Sequence, residues 1–141
     1  MSDPFEVYCD EFRRILGQSP ELKLLSSDFI FAEGVCWNQV GHYLVASDFP
    51  NDRIMKWTER DGLSLFRWPS ERANGNAIDQ EGRVISCLMR ARSVVRQEHD
   101  GTVSTIADKF SERRFTSPND VIVKSDGSIW LTDPDYGFIC P

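Results

Sequence analysis

Three turn glycines, Gly41, Gly82 and Gly127, lie 41 and 45 residues apart, and each opens onto a short run of strand-forming residues. The run after each ends in a small polar residue followed by Asp or Cys: Ser47-Asp48, Ser86-Cys87 and Thr132-Asp133. A second glycine turn follows in the first two units, at Asp61-Gly62 and Asp100-Gly101, again before an apolar run. Strands are predicted at 43–47, 54–57, 63–68, 84–87, 94–96, 103–106, 121–123 and 129–132. Glu81-Gly82, Asp100-Gly101 and Asp126-Gly127 supply hairpin signals between them. The connections are too short for crossover helices, so the strands must pair antiparallel. About four short antiparallel strands repeated every ~40–45 residues is the pattern of a β-propeller blade. The expectation is therefore an all-β chain holding two to three blades.

The segment before the repeats reads differently. Phe5, Tyr8, Cys9, Phe12, Ile15 and Leu16 recur at helical spacing. With Asp3 as cap, Pro4 at the first turn, Glu6 completing a capping box and Gly17 as the stop, this predicts a helix over 4–16. The domain division that follows is a helical extension over 1–24 and a propeller portion over 25–141.

Charge and composition narrow the function. The chain has 22 acidic against 16 basic residues in 141, a net charge of −6. An acidic surface disfavours nucleic acid, and Arg90, Arg92 and Arg96 are too few to make a phosphate patch. No run approaches the ~20 apolar residues of a membrane helix, and the first residues carry no signal-peptide pattern, so the expected location is cytoplasmic, with no membrane partner. Cys9, Cys36, Cys87 and Cys140 stand 27, 51 and 53 residues apart, which fits no zinc motif and predicts reduced thiols. No phosphate-binding glycine loop, nucleophile elbow or zinc-protease motif is present. His42 and His99 adjoin predicted turns, which argues against a Ser-His-Asp machine. Trp37, Trp57, Trp68 and Trp130 are expected to pack between blades.

Counting eight positions back from each turn glycine reaches Glu33, Asn74 and Asn119. That point falls at the start of a blade's innermost strand, where side chains face the central channel. Two readings are open. Three carbonyl oxygens at one repeat position form a set of hard donors suited to an axial cation. Alternatively, Asn74-Gly75-Asn76 and Asn119-Asp120 are ordinary turn chemistry. The paired carboxylates of Asp133-Pro134-Asp135-Tyr136-Gly137 lack the ligand series of a calcium loop and read as a turn.

Ala32-Glu33-Gly34-Val35-Cys36-Trp37, Tyr43 to Asp48 and Asn51 to Trp57 resemble the gluconolactonase family, the group that includes regucalcin and luciferin-regenerating enzyme. Asn74-Gly75-Asn76, Asp79 to Arg83, Ser117 to Val121 and Ser125 to Trp130 continue the resemblance in order. It implies a six-bladed propeller with one divalent cation in the channel, commonly calcium, with zinc or manganese as alternatives. It implies metal ligands at Glu33 and Asn119, leaving Asn74 and Asn76 as substrate contacts. The implied activity is metal-dependent opening of a sugar lactone, a small-molecule substrate. The family's ligand-and-base aspartate falls beyond residue 141, and Asp120 is the candidate carboxylate within the chain. Leu88-Met89-Arg90 stands where related chains often carry Glu-His-Gly, which puts substrate preference in question.

Three functions follow as expectations: a lactone hydrolase whose 141-residue portion binds calcium weakly and turns over slowly, a non-catalytic propeller piece that self-associates or binds a protein, and a calcium-binding regulator.

Overall fold

The computed structural model describes residues 5–18 and 20–135. Among these residues one helix, α1 (Asp10–Leu16), precedes twelve strands. The first sheet comprises β1 (Ala32–Asn38), β2 (Tyr43–Asp48), β3 (Arg53–Thr58) and β4 (Gly62–Arg67), in that spatial order. The second comprises β5 (Ala73–Ile78), β6 (Val84–Leu88), β7 (Ser93–Gln97) and β8 (Val103–Ala107), again in sequence order. A small hairpin, β9 (Lys109–Phe110) with β10 (Arg113–Arg114), leads to the paired strands β11 (Val121–Val123) and β12 (Ile129–Leu131). Every pairing is antiparallel. The architecture is an arc of a β-propeller: two complete blades and the inner hairpin of a third.

The predicted turns hold. The amides of Gly82, Gly101 and Gly127 close onto the carbonyls of Asp79, Glu98 and Lys124 at 3.0, 3.0 and 2.9 Å. The adjoining aspartates accept local bonds, as Asp100 does from Thr102 and Asp126 from Ser128. This is the reason short polar loops suffice to reverse the chain.

Strand alternation then sorts each blade's side chains onto two faces. Val45 and Ile54 from the first blade meet Ala73, Val84, Leu88 and Val95 from the second. Ala77, Ile85, Cys87 and Val94, on the second blade's opposite face, meet Val121 of the third. Because both of its faces are covered, β6 is buried throughout. Truncating Ile54 or Ile85 to alanine would cost about 2–5 kcal/mol, as fully enclosed aliphatic groups do.

Three sequence expectations need correction. The helix spans Asp10–Leu16 rather than 4–16, and its N-cap is Cys9. Asp3 and Pro4 lie outside the described residues, and residues 5–8 form no regular structure. None of the helical residues is buried, so no packing extends the helix; Asp10 and Glu11 in its first turn and Arg13 and Arg14 in its last complement the dipole. Gly17 ends it as predicted, its N–H reaching the Arg13 carbonyl. The tryptophans do not fill the two blade interfaces: Trp37, Trp68 and Trp130 are exposed, and Trp57 lines the first blade's free face. Trp37 is on that face too, because it falls out of phase with Cys36. Finally, the matched pair is Ser47 and Cys87, opposite Ile54 and Val94 on the faces turned to the next blade; Ser86 turns back toward the first blade.

Candidate metal and substrate cleft

The inner strands β1 and β5 share one irregularity. Ala32 pairs with Asp48 and Cys36 with Val45; Ala73 pairs with Leu88 and Asn76 with Ser86. Each inner strand carries an extra residue just after its start, a β-bulge. The common register equates Glu33 with Asn74 and Gly34 with Gly75. It supports the equivalence found by counting, and it extends to Asn119-Asp120 before β11.

The bulges bring the blades into backbone contact. A Cβ on Gly34 would lie 2.1 Å from the Asn74 carbonyl oxygen, and one on Gly75 would lie 2.6 Å from the Asp120 Cα. Only glycine permits this approach. The Gly75 N–H donates to the Asn119 carbonyl at 2.7 Å. Ser47 Oγ donates to the Asn74 carbonyl at 2.6 Å. Asn76 is enclosed between the blades: its Nδ2 donates to Gly34 O, Ser47 Oγ and Asn74 O, and its Oδ1 accepts from Ser86 Oγ.

The strand starts frame a cleft of about 280 Å³ lined by Glu33, Gly34, Val35, Gly75, Asn76, Asn119 and Asp120. Glu33 and Asn119, 86 positions apart, therefore face one space. Asn74 does not line it; this residue is buried, with its Nδ2 3.5 Å from the Pro118 carbonyl. The Glu33 carboxyl is pushed above its ordinary pKa, first by partial burial and then by the negative charge of Asp120. Asp120 accepts the Val121 N–H at 2.9 Å, and its own N–H donates to Thr132 Oγ1. Two carboxylates and an amide beside backbone carbonyls form an all-oxygen donor set, which fits a hard divalent cation. Among the described residues no three His, Cys, Asp or Glu side chains converge, so Asn119 would have to count as a donor.

Counting did not single out Gly34 and Gly75, whose small size sets the cleft's width. The recurrence of Glu-Gly, Asn-Gly and Asn-Asp at one repeat position carried that signal. The basic stretch is absorbed locally: Arg90 pairs with Asp52, Arg96 with Glu98, and Arg92 donates to the Phe115 carbonyl. Leu88 enters the interblade core, while the Met89 amide bonds to the Arg72 carbonyl. Cys9, Cys36 and Cys87 are free thiols; Cys140 lies outside the described residues, as do Tyr136 and Gly137 of the acidic turn.

Successive four-stranded antiparallel sheets, with a cleft at the starts of their inner strands, are the architecture of an incomplete propeller. The chain belongs to the SMP-30/gluconolactonase/LRE-like family, whose model matches residues 31–139. It is 30% identical to the gluconolactonase of Zymomonas mobilis, over 87% of this chain and 38% of that one. Among solved structures, a Xanthomonas campestris gluconolactonase superposes with a TM-score of 0.76 at 33% identity, covering 80% of this chain and 38% of that chain. Regucalcin from Agrobacterium tumefaciens, a calcium-binding protein, shares the fold, with a TM-score of 0.61 at 16% identity over 80% of this chain and 41% of its own. The chain thus spans about two fifths of these relatives' length.

Proposed function

We propose that this chain contributes blades of a metal-dependent lactone hydrolase of the gluconolactonase type. The supporting observation is the convergence of Glu33, Asn119 and Asp120 on one cleft within a gluconolactonase-family fold. Glu33 and Asn119 would hold the cation through their side-chain oxygens, and calcium suits such donors, with zinc or manganese as alternatives. When bound, the cation supplies Lewis-acid polarisation of a carbonyl oxygen. Glu33 supplies the negative charge that selects a cation. Asp120, exposed at the rim, is the carboxylate within this chain that can accept a proton from water. Asn76 lines the cleft and is the proposed substrate contact, with Asn74 behind it.

Calcium usually takes 6–8 oxygens, and two blades and a hairpin supply few of them. The 141-residue chain should therefore bind calcium weakly and open lactones slowly. Calorimetric calcium titration paired with a pH-stat assay on gluconolactone tests this. Tight stoichiometric binding with brisk turnover would refute the donor count; binding without turnover would favour the calcium-binding regulator.

A second reading, self-association, has its own support. Ile122 and Trp130 are exposed on the third blade, while Val35, Trp37 and Leu65 are exposed on the first. Sheet faces of this kind associate when uncovered. No helix among the described residues is long and apolar enough to cross a membrane, and a cytoplasmic place and a lactone substrate remain part of the proposal.

A further inference from the structure

Two aspartates grip the chain where it enters an inner strand. Asp48, fully buried at the end of β2, accepts the N–H groups of Ile30 and Phe31 on Oδ1 at 3.2 and 3.3 Å. Its Oδ2 accepts from Asn51 at 2.7 Å and from Arg53 Nε at 3.0 Å. Arg53 in turn donates to the Asp28 carbonyl at 2.7 Å, tying the same incoming segment a second time. Asp133, just after β12, repeats the arrangement: Oδ1 accepts from Thr116 and Ser117 N–H at 2.9 and 2.7 Å, and Oδ2 also accepts from Thr116. In both blades the gripped residues end two positions before the donor: Phe31 before Glu33, and Ser117 before Asn119.

The second blade is an internal comparison. Leu88 occupies the position of Asp48, since each pairs with the alanine that opens its inner strand. There the incoming Glu71-Arg72 segment is held by backbone bonds to Met89 and Arg90, with only the Arg72 N–H reaching a carboxylate, that of Asp52. The corresponding Asn74 does not line the cleft. The two blades with a terminal aspartate present their donors to the cleft, and the blade with leucine does not.

We infer that Asp48 and Asp133 are positioning residues for the cleft: each fixes two backbone amides so that the following Glu33 or Asn119 presents its oxygen to a divalent cation. The inference rests on the cation reading above. A carboxylate acceptor makes charge-assisted, directional hydrogen bonds, short at Asp133 and longer at Asp48, so four amides held by two carboxylates set the entry angle of both strands. Groups that orient metal ligands typically matter about 10–100-fold in affinity when removed.

Manganese is a suitable probe, because paramagnetic broadening of backbone amide resonances reports even weak occupancy. In the 141-residue chain, manganese should selectively broaden the amides of Glu33, Gly34, Asn119 and Asp120. Asp133→Ala, at an exposed position, should release the Thr116 and Ser117 amides to hydrogen exchange and raise the manganese needed for half-broadening at least severalfold. Asp133→Asn, which keeps an acceptor oxygen, should fall between the two. Asp48→Asn should act in the same way on Ile30, Phe31 and the Glu33 resonances. Val45→Ala, which loosens the core without touching either grip, should leave the broadening profile unchanged. If the gripped amides exchange freely in Asp133→Ala while broadening is unaltered, positioning is refuted and the cation reading stands. If the parent chain shows no selective broadening at the cleft, the cation reading fails and takes this inference with it.

Discussion

Substituting Gly34 with alanine isolates the contact that joins the first two blades. Gly34 has φ +58°, and its added Cβ would sit 2.1 Å from the Asn74 carbonyl oxygen and 2.7 Å from Asn76 Nδ2. Neither neighbour can rotate away cheaply. The carbonyl belongs to backbone that also accepts the Ser47 hydroxyl, and the Asn76 amide is held by four partners. A left-handed alanine alone costs about 1–2 kcal/mol. Overpacking adds about 1–3 kcal/mol, and weakening one buried hydrogen bond adds about 1 kcal/mol. The expected loss is therefore about 3–6 kcal/mol, a large part of the about 5–15 kcal/mol that stabilises a typical domain. Gly62→Ala is the matched control: its φ is +69°, and nothing lies within 4 Å of the added Cβ. It should lose only the conformational part, about 1–2 kcal/mol. Urea denaturation followed by tryptophan fluorescence measures both. Equal losses in the two variants would refute the interblade contact and, with it, the mechanism that sets the width of the cleft.

Three further outcomes follow. Glu33 has a raised folded pKa, so its protonated form favours the fold; stability from this group is present below its unfolded pKa and is lost as pH rises through the folded value. Glu33→Gln should remove that loss, making the metal-free chain slightly more stable at neutral pH in thermal melts while abolishing calcium binding. Asp48 has the opposite sign: burial pushes its carboxyl up, but bonds from Asn51, Arg53, Phe31 and Ile30 outweigh this and hold it below the ordinary value. Its stabilisation is complete above the unfolded pKa and lost as pH falls through the folded one, so the stability of Asp48→Asn should change less between pH 6 and pH 3 than the parent's. Burial pushes the Cys36 and Cys87 thiols to about 12, with the charges of Asp120 and Asp133 adding to the effect at Cys87. Iodoacetamide at pH 8 should therefore modify exposed Cys9 while sparing both until urea is added, as read by peptide mass spectrometry.

The sequence by itself determined the repeat. Turn glycines, their aspartate partners and period-two apolar runs act through local backbone geometry, so Tyr43–Asp48, Val84–Leu88 and the outer strands are legible in the residues alone. The equivalence of Glu33, Asn74 and Asn119 is legible too, because a constant offset from a turn survives folding. The inner strands β1 and β5 are not. Ala-Glu-Gly and Ala-Asn-Gly carry little strand propensity, and they are strands because a bulge and a neighbouring blade hold them there. The helix start departs from its pattern for the same reason in reverse: the local spacing is helical, but no tertiary surface receives its apolar stripe. The family resemblance already sets Glu33 and Asn119 apart from Asn74; the tertiary structure supplies the spatial reason, placing Glu33 and Asn119 on one cleft and Asn74 behind it. That choice depends on contacts between positions far apart in the chain, such as Gly34 against Asn74 and Asp133 against Ser117, where the spacing along the sequence carries no information about which amide a carboxylate will reach.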